Sequence, residues 1–215
     1  MQYPYLADIP MEFVSNLKQT FNSTSGHISE TMEKRTDIQK YDSVTDVVKY
    51  LGYDPKHIRG DNFYKHPHPY FPHSDAPEDD PEYYLHIVVP IIKPYSDTQY
   101  FIVFDQMSKI GRATYIGHTT YDLDFEVNKT IRGDITSDYI TEHVTNGIDA
   151  DFHEKYLPYP KEWYNGLSGQ AVEWKPGSAI IFPSNRVHCT GKMPENVEKM
   201  GISIRLRMSE PVYKT

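Results

Sequence analysis

From Asp61 onward the apolar residues of this 215-residue chain fall in short runs separated by turn residues. That texture predicts a β-rich globule built of many short strands. The last run alternates cleanly. In Gly201-Ile-Ser-Ile-Arg-Leu-Arg-Met208, Ile202, Ile204, Leu206 and Met208 alternate with Ser203, Arg205 and Arg207. Successive side chains of a strand point to opposite faces, so this strand has one apolar and one polar face. Tyr83–Ile92 and Gln99–Phe104 read as two further strands, joined by a link short enough for a hairpin-like return. Arg112–Ile116, Ala171–Trp174, Ala179–Phe182 and Val187–Thr190 complete the set, with a turn at Lys175-Pro-Gly-Ser178.

Residues 1–60 have the other periodicity. Pro10 is suited to open a helix over Met11–Phe21, and Ser43 is suited to cap a second. In that second helix Val44, Val47, Val48 and Leu51 share one face and Gly52 supplies the stop. The expected organisation is one domain over 1–215. It has a helical part at 1–60, a β core at 61–210 and an irregular, aromatic insertion at 118–170. Helices followed by short strands predict a mainly β sandwich or jelly roll with flanking helices.

Composition narrows the partners. There are 22 Lys and Arg against 30 Asp and Glu, a formal charge of −8, and the acids are spread along the chain. A phosphate-binding surface needs a basic patch, and none is visible, so nucleic acid is not an expected partner. The single cysteine, Cys189, permits no internal disulfide. It suits a reducing compartment. The N-terminal residues lack a basic, then apolar, signal pattern, and no run approaches membrane length. A cytoplasmic location without membrane contact is therefore expected.

Ten histidines are present, and one begins an HxD tripeptide, His73-Ser-Asp75. Such a tripeptide alone is unspecific. Here it is followed, after a long gap, by His188 beyond a Pro183-Ser-Asn-Arg186 loop, and then by the strand bearing Arg205 and Arg207. Two imidazoles and a carboxylate on one face of an Fe(II) ion leave three positions open for a co-substrate and dioxygen. A bidentate 2-oxo acid fills two of them. Its distal carboxylate then suits the planar fork of an arginine.

On these residues the chain resembles the Fe(II)/2-oxoglutarate-dependent oxygenases, in particular the small bacterial and phage-type members. The resembling pieces are His73-Ser-Asp75, Pro176–His188 and Ser203–Arg207, with Tyr84–Pro90 and Phe101–Asp105 similar to the family's central strands. The resemblance implies a double-stranded β-helix, a cupin-like jelly roll. It implies His73, Asp75 and His188 as metal ligands. It also implies decarboxylation of 2-oxoglutarate to succinate and CO2, coupled to oxidation, usually hydroxylation, of an amino-acid, peptide or small-metabolite substrate. Arg205 is the expected partner of the distal carboxylate, with Arg207 its rival. Ser203 or a tyrosine of the central strands, Tyr84, is expected to add a hydrogen bond. The alternative is a metal-dependent cupin that does not use 2-oxoglutarate, for which His66-Pro-His68 is the candidate motif. Cys189 is expected to sit in packing. Tyr156, Tyr159, Trp163, Tyr164 and Trp174 are core or pocket residues. The insertion 118–170 and the loop from His66 to Glu82 are expected to form the rim and lid.

Overall fold

A computed structural model describes residues 5–24, 27–28, 33–35, 40–66, 68–75, 80–93, 98–107, 113–114, 140–144, 147–194 and 197–212. The chain opens with β1 (Tyr5–Asp8), helix α1 (Met11–Ser23), β2 (His27–Ile28), β3 (Glu33–Arg35) and helix α2 (Asp42–Tyr50). Then come β4 (Ile58–His66), β5 (His73–Ser74), β6 (Tyr84–Ile92), β7 (Tyr100–Met107), β8 (Ala113–Thr114) and β9 (Ile140–Val144). Helix α3 (Ala150–Tyr156) precedes β10 (Gly169–Glu173), β11 (Ser178–Pro183), β12 (Arg186–Thr190) and β13 (Lys199–Arg207).

The strands form two antiparallel sheets. The seven-stranded sheet runs β1-β11-β6-β13-β4-β3-β2, and the six-stranded sheet runs β8-β5-β12-β7-β10-β9. Consecutive strands repeatedly fall in opposite sheets, as in a double-stranded β-helix. The expected hairpin between β6 and β7 is therefore wrong: β6 lies in the larger sheet and β7 in the smaller. The reason is burial on both faces. Leu85, Ile87, Val89 and Ile91 of β6 face the helices, while Val88 faces the gap between the sheets with Phe101 and Val103 of β7. Two strands buried on both sides read as apolar runs and carry no alternation that would reveal a shared sheet.

Helices α1 and α2 cover the larger sheet. Val14, Leu17, Val44, Val47 and Val48 bury against Ile202, Ile204 and Leu206 of β13. Each fully buried side chain of this size contributes roughly 1.5–3 kcal/mol. Helix α2 ends as expected. Gly52 has φ +84°, its N–H donates to the Lys49 carbonyl, and the Tyr53 N–H donates to the Val48 carbonyl. These two bonds satisfy carbonyls that the helix end would leave free. Ser43 is not the cap. Tyr41 occupies that position, and the Ser43 hydroxyl instead meets Thr20 Oγ1 at 2.7 Å, tying the two helices together.

Two other expectations change. The first sixty residues are not wholly helical, since β1 pairs with β11 and β4 begins at Ile58. The insertion 118–170 is only partly irregular. Residues 115–139 and 145–146 lie outside the described residues, but 147–170 is built. Asp149 caps α3 by accepting the Phe152 N–H at 2.7 Å. Phe152, Tyr156, Tyr164 and Leu167 then bury against Ile102, Phe104, Val187 and Cys189 on the outer face of the smaller sheet. Cys189 thus sits in packing, as expected. No helix among the described residues is long and apolar enough to cross a membrane.

Candidate metal centre

Strand pairing assembles the site. The register of β12 against β5 sets His188 directly opposite His73, and their rings lie 4.3 Å apart. Directly opposed residues of antiparallel strands share a face, so both imidazoles point the same way. The Asp75 N–H donates to the Ser184 carbonyl at 3.0 Å, which fixes the loop leaving β5. Asp75 Oδ2 then stands 3.7 Å from His73 Nε2 and 3.5 Å from His188 Nε2.

These separations exceed a hydrogen bond. The donor atoms converge, all within 4.8 Å of one another. Their tautomers are set from behind. His73 Nδ1 lies 2.9 Å from the Phe71 carbonyl and His188 Nδ1 lies 2.9 Å from the Arg186 carbonyl. A carbonyl only accepts, so each Nδ1 carries a proton and each Nε2 is left as the atom that a metal would take. Burial works to raise the Asp75 pKa, but His73 and His188 hold it well below the usual carboxylate range. Burial and the neighbouring His73 push His188 down, which favours its neutral, ligating form. Two bare imidazole nitrogens and one ionised carboxylate fit a first-row divalent ion.

The three residues open into a cavity of about 320 Å³ between the sheets. Its opposite wall comes from the larger sheet: Ser203 and Arg205 of β13, His86 and Val88 of β6, and Asn62 and Tyr64 of β4. Arg205 reaches across to donate from Nη1 to the Asp75 carbonyl at 3.1 Å. It does so over Gly60, where a Cβ would strike the guanidinium. The alternation of β13 holds to this point and then leaves the barrel. Arg207 is exposed and pairs with Asp80 Oδ2 at 3.2 Å, and Tyr84 is half-buried; neither lines the cavity. The aromatics read as core or pocket residues fall on the core side. Tyr156, Tyr164 and Trp174 are core residues, and Tyr159 and Trp163 stack at 4.9 Å beside the α3 layer. The His66–Glu82 loop contributes His66 and Tyr70 to the cavity, whereas none of the described residues of the 118–170 insertion does. His66 and His68 separate: the first is buried in the cavity wall and the second is exposed.

Two residues escaped the sequence reading. His86 is fully buried on the cavity wall, with Nε2 2.5 Å from Ser203 Oγ and Nδ1 3.9 Å from Asp75 Oδ2. Burial lowers its pKa to about 3, so it is neutral. Its signal was a lone polar residue in the apolar run of β6. Lys199 is also fully buried. Its Nζ donates to the Tyr100 carbonyl at 3.1 Å and sits 3.8 Å from the centroid of the Trp174 ring. No carboxylate among the described residues pairs with it, and burial brings its pKa down to about 7. Extending the β13 alternation backwards puts Lys199 on the face of Ser203 and Arg205.

No family model matches the chain, and no curated protein does. Solved structures are similar to it. The non-haem α-ketoglutarate-dependent epimerase SnoN from nogalamycin biosynthesis superposes with a TM-score of 0.51 at 12% identity, covering 99% of this chain and 82% of that one. A Pseudomonas putida prolyl-4-hydroxylase gives 0.47 at 10% identity over 97% of this chain and 95% of its own. HygX from Streptomyces hygroscopicus, with nickel and 2-oxoglutarate bound, gives 0.48 at 10% identity over 96% and 84%. The likeness to SnoN establishes the shared jelly-roll fold.

Proposed function

We propose that this chain is an Fe(II)- and 2-oxoglutarate-dependent oxygenase that hydroxylates a small metabolite, amino acid or peptide side chain and releases succinate and CO2. The observation that carries this reading is one cavity holding both a converging His73–Asp75–His188 donor set and the Arg205 guanidinium. His73, Asp75 and His188 would hold the iron, which would supply the activation of dioxygen that couples decarboxylation of a 2-oxo acid to oxidation of a second substrate. The chain's own contribution is placement. Asp75 supplies the charge, the two carbonyl-oriented imidazoles supply the lone pairs, and Arg205 faces the distal carboxylate. A cavity of about 320 Å³ is near the lower end of ligand sites, which run to roughly 300–1,000 Å³. The cupin reading is weaker, because it needs His66 and His68 on one ion and they do not converge.

Titration tests the anchor. Nickel-loaded Arg205→Met should bind 2-oxoglutarate roughly 10- to 100-fold more weakly, as expected for loss of a charged bidentate contact. Unchanged affinity in that variant would remove Arg205 from the anchor role. In the same series His73→Ala and Asp75→Ala should lose the metal and all succinate release. Wild-type metal binding in both variants would refute the centre.

A further inference from the structure

We propose that His86 is a hydrogen-bond donor to the oxygen ligands of the metal centre, presenting Nδ1–H into the cavity, while Ser203 donates its hydroxyl proton to His86 Nε2. This rests on the reading of the site given above and adds a positioning residue to it.

The ring is held on three sides. His86 lies opposite Arg205 in the β13 register and opposite Phe182 in the β11 register, with the Phe182 ring centroid at 4.9 Å. The His188 ring stands edge-on at 5.4 Å. Nε2 is occupied by Ser203 Oγ at 2.5 Å. Nδ1 is buried with no hydrogen-bond partner among the described residues, and it faces Asp75 Oδ2 at 3.9 Å, beyond hydrogen-bond reach.

A neutral imidazole carries one proton on one of two nitrogens. An ionised carboxylate beside Nδ1 favours the proton there, because a lone pair would face a lone pair. Nε2 is then the acceptor, and the serine hydroxyl, which can donate or accept, donates to it. A buried N–H without an acceptor is rarely tolerated in a native interior. Here the missing acceptor is an oxygen bound next to Asp75, and the chemical class that the site takes is the metal-chelating end of a 2-oxo carboxylate. The same proton excludes His86 as a fourth ligand, since a ligating nitrogen must offer a lone pair. It also commits the Ser203 proton, so Ser203 acts through His86 and not directly on the distal carboxylate.

The test has two readouts. Long-range proton–nitrogen correlation spectra of histidine-labelled protein, with the His86 signals identified by their loss in His86→Asn, should show the Nδ1–H tautomer. Calorimetric titration should show nickel affinity within about threefold of wild type in His86→Asn and His86→Leu. The affinity of the nickel-loaded variants for 2-oxoglutarate should fall roughly tenfold or more, as for a hydrogen bond to a charged group. Ser203→Ala should show a smaller loss in the same direction. An Nε2–H tautomer overturns the proposal. So does a collapse of nickel affinity to that of Asp75→Ala, which would make His86 a ligand. Unchanged 2-oxoglutarate affinity with the expected tautomer overturns the assigned role alone. If nickel-loaded wild type does not bind 2-oxoglutarate at all, the co-substrate reading fails, and the acceptor assigned to His86 fails with it.

Discussion

Lys199 shows how a single side chain can oppose the fold that buries it. The unfolded chain holds this proton up to a pKa near 10.5, whereas the folded protein releases it from about 7. Between those values the unfolded state binds more protons, so stability rises with pH. Below 7 both states are protonated and the cost of burying the charge is constant and at its largest. Lys199→Met should therefore be more stable than wild type at pH 7, and the gap should narrow by pH 9. Urea midpoints of the two proteins at those pH values measure it, and a gap that widens with pH contradicts it. The same reasoning explains why Lys199 was hard to read from sequence. Its neighbours Glu198 and Met200 give no sign that a lysine between them points into a dry interior. The HxD, His188 and Arg205 were legible because their residue types and order carry chemistry. His86 was not, because its role depends on a tautomer that only its neighbours across two strands define.

At the scale of elements, close approach decides where a side chain is forbidden. A Cβ on Gly169 of β10 would lie 2.6 Å from the Val103 carbonyl oxygen and 2.7 Å from Phe104 Cα. Those are backbone atoms of the paired strand and cannot yield alone. On Gly201 of β13 the obstacle is the Trp174 ring at 2.6 Å, a side chain whose Nε1 donates to the Ile92 carbonyl at 3.0 Å. Overpacking of this kind costs typically about 1–3 kcal/mol. Gly169→Ala should sit at or above the top of that range and Gly201→Ala below it, ranked by thermal unfolding midpoints. Equal midpoints would mean that β10 can shift away from β7. Strand identity was readable wherever one face met solvent or charge, as in β13. Strand β4 was missed because Arg59-Gly-Asp-Asn62 opens it without an apolar alternation, and β5 because two residues have no period. Which sheet a strand joins is set by packing on both of its faces, and apolar runs such as β6 and β7 hold no record of that choice.

The whole molecule divides its site between its layers. His73, Asp75 and His188 come from the smaller sheet and the loop leaving β5, while His86, Ser203 and Arg205 come from the larger. A metal ion alone should therefore slow amide hydrogen exchange in β5 and β12. Adding 2-oxoglutarate should extend the protection to β6 and β13 across the gap. At a free concentration one hundred times its dissociation constant, the co-substrate should add about 2.7 kcal/mol of stability. Full protection of β13 by metal alone would mean that the sheets are coupled without it.

Gly60 gives this arrangement a hereditary edge. The guanidinium of Arg205 lies where any other residue at position 60 would place its first carbon. The two sit on neighbouring strands, far apart in the gene, and the dependence runs one way: while Arg205 keeps its place a side chain at 60 must displace its guanidinium, whereas the arginine can change with Gly60 unaltered. In a lineage that abandons the arginine, position 60 is the first place where a side chain should accumulate.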